Sequence, residues 1–111
     1  MAHAPYSALT DLQPIFDRMR EWPHVKEPSP GVFYIRTKPF LHFHMSRESR
    51  WADVRDGLGW GTPVDLPTDA SKTVREAFLV EVERRYQATL AALGGKGTRG
   101  NRSAAADTAL G

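Results

Sequence analysis

Two histidines one residue apart, His42 and His44, are the first positions in this sequence whose type and spacing could do chemistry. Side chains alternate along an extended chain, so both imidazoles would face the same way with Cα atoms about 6–7 Å apart, close enough to share an ion or a ligand. The same parity, carried through the neighbouring segments, collects Tyr34, Arg36, Phe40, Trp51, Asp53 and Arg55. Aromatic rings, imidazoles and ionised groups on one sheet face are an unusual mixture. The opposite parity holds Phe33, Ile35, Leu41, Phe43, Met45, Ala52 and Val54, which reads as the side turned to the core.

Several chemistries are open to such a face. A metal ion would use His42 and His44 and would need a third ligand, for which Asp53 and His24 are the candidates. Acid–base work would have Asp53 orient one imidazole while Arg36 or Arg55 holds an anionic substrate. Nucleic-acid binding would stack bases on Tyr34, Phe40 and Trp51, with Arg36, Lys38, Arg47, Arg50 and Arg55 following the phosphates. Contact with a protein partner, or self-association, asks least, since an exposed aromatic face suits protein contact in general. No nucleophile elbow, paired-carboxylate motif or activated serine accompanies these residues. The expectation is therefore a binding or interaction module acting through Tyr34, Arg36, His42, His44, Trp51, Asp53 and Arg55, with no cofactor assigned. Nucleic-acid binding and a metal- or histidine-dependent enzyme are the alternatives.

The elements that must position this face follow from periodicity. Leu12, Ile15, Phe16, Met19 and Trp22 recur at helical spacing, Thr10 and Gln13 have capping-box spacing, and Pro23 ends the run. Pro28-Ser-Pro-Gly31 is a turn, and Val32 to Arg36 is β-branched and aromatic enough for a strand. Thr37-Lys38-Pro39 breaks it, Phe40 to Met45 returns as its hairpin partner, and Trp51 to Arg55 forms a third strand. Asp56, Gly57, Gly59 and Gly61 predict a flexible loop in which Trp60 acts as a plug, with a lid the alternative, and Thr62 to Leu66 a short edge strand. From Asp69 or Ser71 to Leu93 the stripe Val74, Phe78, Leu79, Val82, Tyr86, Leu90 and Leu93 predicts a long helix. Two amphipathic helices need one shared apolar surface, so the fold class is α+β: an antiparallel sheet of three to four strands with an N-terminal and a long C-terminal helix on one face.

A chain of 111 residues with 41% hydrophobic and 25% charged residues supports a single core, placed at residues 1–95. Residues 96–111 are rich in Gly, Ala, Ser and Thr and are expected to form a disordered tail. Lys96, Arg99 and Arg102 against Asp107 place the net charge of +2 in that tail, leaving residues 1–95 formally neutral. Gly94-Gly-Lys-Gly-Thr98 has the letters of a phosphate loop, but it follows a helix and reads as a helix stop and linker. The absence of cysteine excludes disulfides, thiol catalysis and cysteine-ligated metal. With no leader signature and no membrane-length apolar run, the expected location is the cytoplasm.

The stretch from Phe16 to Val54 carries a family likeness. A helix ending in Trp22-Pro23-His24-Val25, then Glu27, Gly31-Val-Phe-Tyr-Ile-Arg36, Lys38 and Phe40-Leu-His-Phe-His44, resembles the MmcQ/YjbR-type small bacterial proteins. That resemblance implies a helix, an antiparallel sheet and C-terminal helices, and a DNA-binding label. It carries no site residue onto this chain. The His-rich strand after a Pro-Gly-Val turn is also similar to small luciferase-like domain proteins.

Overall fold

A computed structural model describes residues 2–94. In chain order it runs β1 (Ala2–His3), a 3-10 turn (Tyr6–Leu12), α1 (Gln13–Arg20), β2 (Val25–Ser29), β3 (Val32–Ile35), β4 (Lys38–Ser46), β5 (Ser49–Asp56), β6 (Gly59–Trp60), β7 (Val64–Asp65) and α2 (Lys72–Gly94). The strands form one antiparallel sheet in the order β2-β3-β4-β5-β6. β1 pairs with β4 beyond the end of β3, and β7 pairs with β5 beyond β6. The α+β class holds, with more strands than the sequence pattern reveals. β1, β6 and β7 are two residues each, too short for any periodicity, and β2 is a polar Val-Lys-Glu-Pro-Ser run. The expected tail at 96–111 lies outside the described residues.

Tight turns make the meander. Ser29 pairs with Val32, so Pro30 and Gly31 form the turn, with Gly31 at φ 77° where proline followed by glycine suits type II geometry. A Cβ on Gly31 would lie 2.5 Å from Leu9 Cδ1, so this glycine is required by both backbone and packing. Arg36, expected on a strand, instead stands in the two-residue turn between β3 and β4 at φ 58°, its backbone N–H donating to His24 O at 2.8 Å. Arg47 takes the same φ in the turn between β4 and β5.

Both helices cover one side of the sheet. Phe16 of α1 lies 5.3 Å from Phe33 and 5.8 Å from Phe43, and Phe43 lies 5.8 Å from Phe78 of α2. Phe16, Phe33, Leu41, Ala52, Val54 and Val82 are completely buried, each large apolar side chain contributing about 1.5–3 kcal/mol. The predicted core parity thus stands along β3, β4 and β5, with Met45 only partly covered near the end of β4.

One residue breaks it. Phe33 pairs with Leu41 but Tyr34 with Pro39, which leaves Phe40 as the extra residue of a β-bulge. Phe40 therefore joins the core, 6.4 Å from Tyr86, and is not on the histidine face. Trp22 lies past the end of α1 and stacks on Tyr86 at 4.8 Å, while the Tyr86 hydroxyl donates to Pro23 O at 2.7 Å. Val74, in the first turn of α2, is exposed and does not belong to the helix's buried stripe.

Two buried arginines fasten the periphery. Arg50, 2% exposed, spends its donors on Leu66 O, Ala8 O, Pro67 O and both oxygens of Asp11, at 2.7 to 3.0 Å. Asp11 is thus the partner of a buried guanidinium, and no side chain caps the 3-10 turn or α1; Gln13 Nε2 donates to Leu9 O at 3.2 Å instead of closing a capping box. Arg85 of α2 reaches Val54 O and Thr62 O, and Gly61 makes room for it, since a Cβ there would lie 2.6 Å from Arg85 Nη1.

Candidate functional site

The register of β4 against β5 builds the site. Leu41 opposes Val54 and Phe43 opposes Ala52 on the core side, so the intervening pairs, His42 with Asp53 and His44 with Trp51, stand on the side away from the helices. Asp53 Oδ2 lies 2.8 Å from His44 Nε2 and 4.0 Å from His42 Nε2. The carboxylate leans diagonally across the strands, nearer to His44 than to its direct partner. The imidazoles stand edge to face, with centroids 4.6 Å apart. One ligand atom from each of His42, His44 and Asp53 falls within 4.8 Å of the other two.

Aromatic rings wall this cluster. Trp51 stacks on His44 at 5.7 Å with an interplanar angle of 25°, and Trp60 meets His42 edge to face at 5.2 Å. Trp60 is held by Arg55, whose guanidinium carbon lies 4.8 Å from the ring centroid and whose donors go to Pro39 O and Leu58 O. The His44 side chain is 11% exposed, His42 22% and Asp53 32%, so the cluster is a cup closed around His44 and open toward His42 and Asp53. Rigid strands hold all three groups, so their spacing follows from sheet register.

Of the residues expected to share this face, His42, His44, Trp51 and Asp53 come together, and Arg55 borders them through Trp60. Tyr34 lies on β3, half-buried and opposite Pro39 and Lys26, away from the cluster. Arg36 sits at the β3–β4 turn, where its guanidinium approaches Gly94. His24, at φ 70° in the turn between α1 and β2, is two strands from β4 and stands outside the metal-ligating group.

Sequence reasoning missed Trp60 as a wall of the site. It is no buried plug, since it is 47% exposed, and it belongs to a strand, not to a flexible loop. The signal was present: Asp56 and Gly59 flank a two-residue hairpin turn, Gly57-Leu58, with Gly57 at φ 75°. Also unforeseen was β1, which places His3 at the register position opposite His44.

Of the five cations set along this face for nucleic acid, Arg50 is buried and Arg55 is committed to backbone carbonyls and Trp60. Arg36 and Arg47 occupy turns at opposite ends of β4, a nine-residue strand about 27–30 Å long. A separate shallow cleft between α1 and α2, lined by Asp11, Ile15, Arg18, Lys72, Arg75 and Leu79, shares no residue with the histidine cluster.

No described helix is long and apolar enough to cross a membrane. No family model, curated protein or solved structure matches this chain, so its functional reading rests on its own geometry.

Proposed function

We propose that this protein is a non-enzymatic binding module whose working surface is the cup formed by His42, His44 and Asp53 between Trp51 and Trp60. The observation that carries the reading is convergence. Three groups able to donate electron pairs or exchange protons meet within 4.8 Å on the sheet face the helices leave uncovered. The apolar core lies on the other face.

The histidine-dependent enzyme gains less support. Both ring nitrogens of His44 are buried, so the imidazole closest to Asp53 does not present a base to a substrate. The nucleic-acid alternative loses its phosphate track to the commitments of Arg50 and Arg55. A partner protein or a second copy of the chain remains the wider class of occupant, meeting Trp60 and the neighbouring exposed Leu58. A cysteine-free chain suits a reducing compartment, and the proposal places the module in the cytoplasm.

Tryptophan fluorescence tests the reading, because Trp51 and Trp60 wall the cup while Trp22 stacks on Tyr86 across the molecule. The full chain is titrated with divalent cations, inorganic phosphate, a dicarboxylate, a nucleotide and a short oligonucleotide, and is also diluted serially to expose self-association. A saturable change abolished in Trp60→Phe or Trp51→Phe is expected. Changes that survive in both variants would place binding elsewhere and overturn the proposal.

A further inference from the structure

The chemistry of the cup narrows its ligand. Two imidazoles and one carboxylate are a borderline donor set, suited to zinc-class divalent ions; calcium and magnesium prefer all-oxygen shells. In a tetrahedral site with ligands at about 2.0–2.1 Å, donor atoms are about 3.4 Å apart. The observed separations from Asp53 Oδ2, 2.8 Å to His44 Nε2 and 4.0 Å to His42 Nε2, bracket that spacing. Side-chain rotations that move a ring nitrogen by about 1 Å would equalise them without shifting a strand. Charge agrees as well: the Asp53 carboxylate offers one negative charge to a dication, and each imidazole offers an electron pair. The aromatic walls favour an ion over a bulky ligand, because Trp51 and Trp60 leave the opening chiefly on the His42 and Asp53 side.

We propose that His42, His44 and Asp53 form a three-ligand site for a zinc-class divalent transition-metal ion, with a fourth coordination position open beside Trp60. The proposal rests on the same cup being the binding surface. It makes the open position the point where water or a donor atom from a partner completes the shell. Trp60, edge to face with His42 at 5.2 Å, borders that position.

The test uses the full chain, stripped with chelator and dialysed. Zn2+ is titrated by calorimetry, and Co2+ by visible absorption, whose intensity reports a four-coordinate nitrogen–oxygen site. One ion per chain is expected. His42→Ala, His44→Gln and Asp53→Asn should each weaken binding at least tenfold, while His24→Ala leaves affinity and stoichiometry unchanged. His42→Ala and Asp53→Asn alter partly exposed side chains, and circular dichroism confirms that each variant is folded before it is compared. Absence of saturable binding in the unmodified chain, or equal binding in the folded His42→Ala and Asp53→Asn variants, overturns the metal site. If Zn2+ and Co2+ fail while another probe still perturbs Trp51 and Trp60, the ion is wrong and the binding surface stands. If no probe perturbs either tryptophan, both proposals fall.

Discussion

Arg50, expected among the cations that would follow phosphates, instead holds the fold through Asp11. Burial disfavours the Asp11 carboxylate, but hydrogen bonds from Arg50 and the charges of Arg50 and Arg75 outweigh it and leave the pKa below the ordinary 3.8. A group whose pKa is depressed on folding adds stability above its unfolded pKa and loses it as pH falls through the lowered folded value. Asp11 therefore contributes at neutral pH, and its contribution fades below about pH 4. Asp11→Asn should cost about 2–3 kcal/mol in urea unfolding at pH 7 and flatten the acid limb of the stability profile, because it leaves a buried guanidinium poorly paired. An unchanged acid limb would contradict this. Glu81, held at about 2 by hydrogen bonds from Arg84 and Arg85, has the same sign, but its exposed position makes solvent screening discount it. Tyr86→Phe removes the hydroxyl bond to Pro23 O and should cost about 1 kcal/mol while leaving the ring contacts with Trp22 and Phe40 in place.

At the scale of elements, glycines at positive φ separate backbone strain from packing. Gly31 and Gly57 have nearly the same φ, 77° and 75°, but an added Cβ meets Leu9 at Gly31 and open space at Gly57. Gly57→Ala should therefore cost about 1 kcal/mol, and Gly31→Ala about 2–4 kcal/mol, read as the shift in urea midpoint at constant m. Equal losses would show that Leu9 yields freely. The same elements mark what the sequence could disclose. Long β4, β5 and α2 are legible because their apolar residues repeat at period 2 or 3.6 over many positions. The alternation of His42 and His44 with Leu41 and Phe43 came directly from that period. Phe40 did not, because a bulge inserts one residue and reverses the parity on one side of it. Arg36 was misplaced for a related reason: a two-residue turn with an arginine at positive φ lacks the glycine or asparagine that announces such turns.

Across the whole molecule, the sheet divides labour between its faces. One face, with α1 and α2, carries the continuous apolar core, and the other carries the histidines, Asp53 and two of the three tryptophans. The three elements that decide the site's walls and its edges, β1, β6 and β7, are two residues long and take their positions from pairing with β4 and β5. Tertiary pairing of that kind leaves almost no trace in local sequence, which is why Trp60 was visible as a residue but not as part of the cup. The buried arginines complete this plan: Arg50 joins the 3-10 turn to the segment after β7, and Arg85 joins α2 to the break between β6 and β7. The side-chain nitrogen resonances of the histidines, followed in labelled full-length protein as Zn2+ is added, test the account most directly. Saturating shifts at His42 and His44 with His24 unmoved are predicted; shifts at His24 alone, or at no histidine while the indole signals of Trp51 and Trp60 also stay fixed under every other probe, would contradict it.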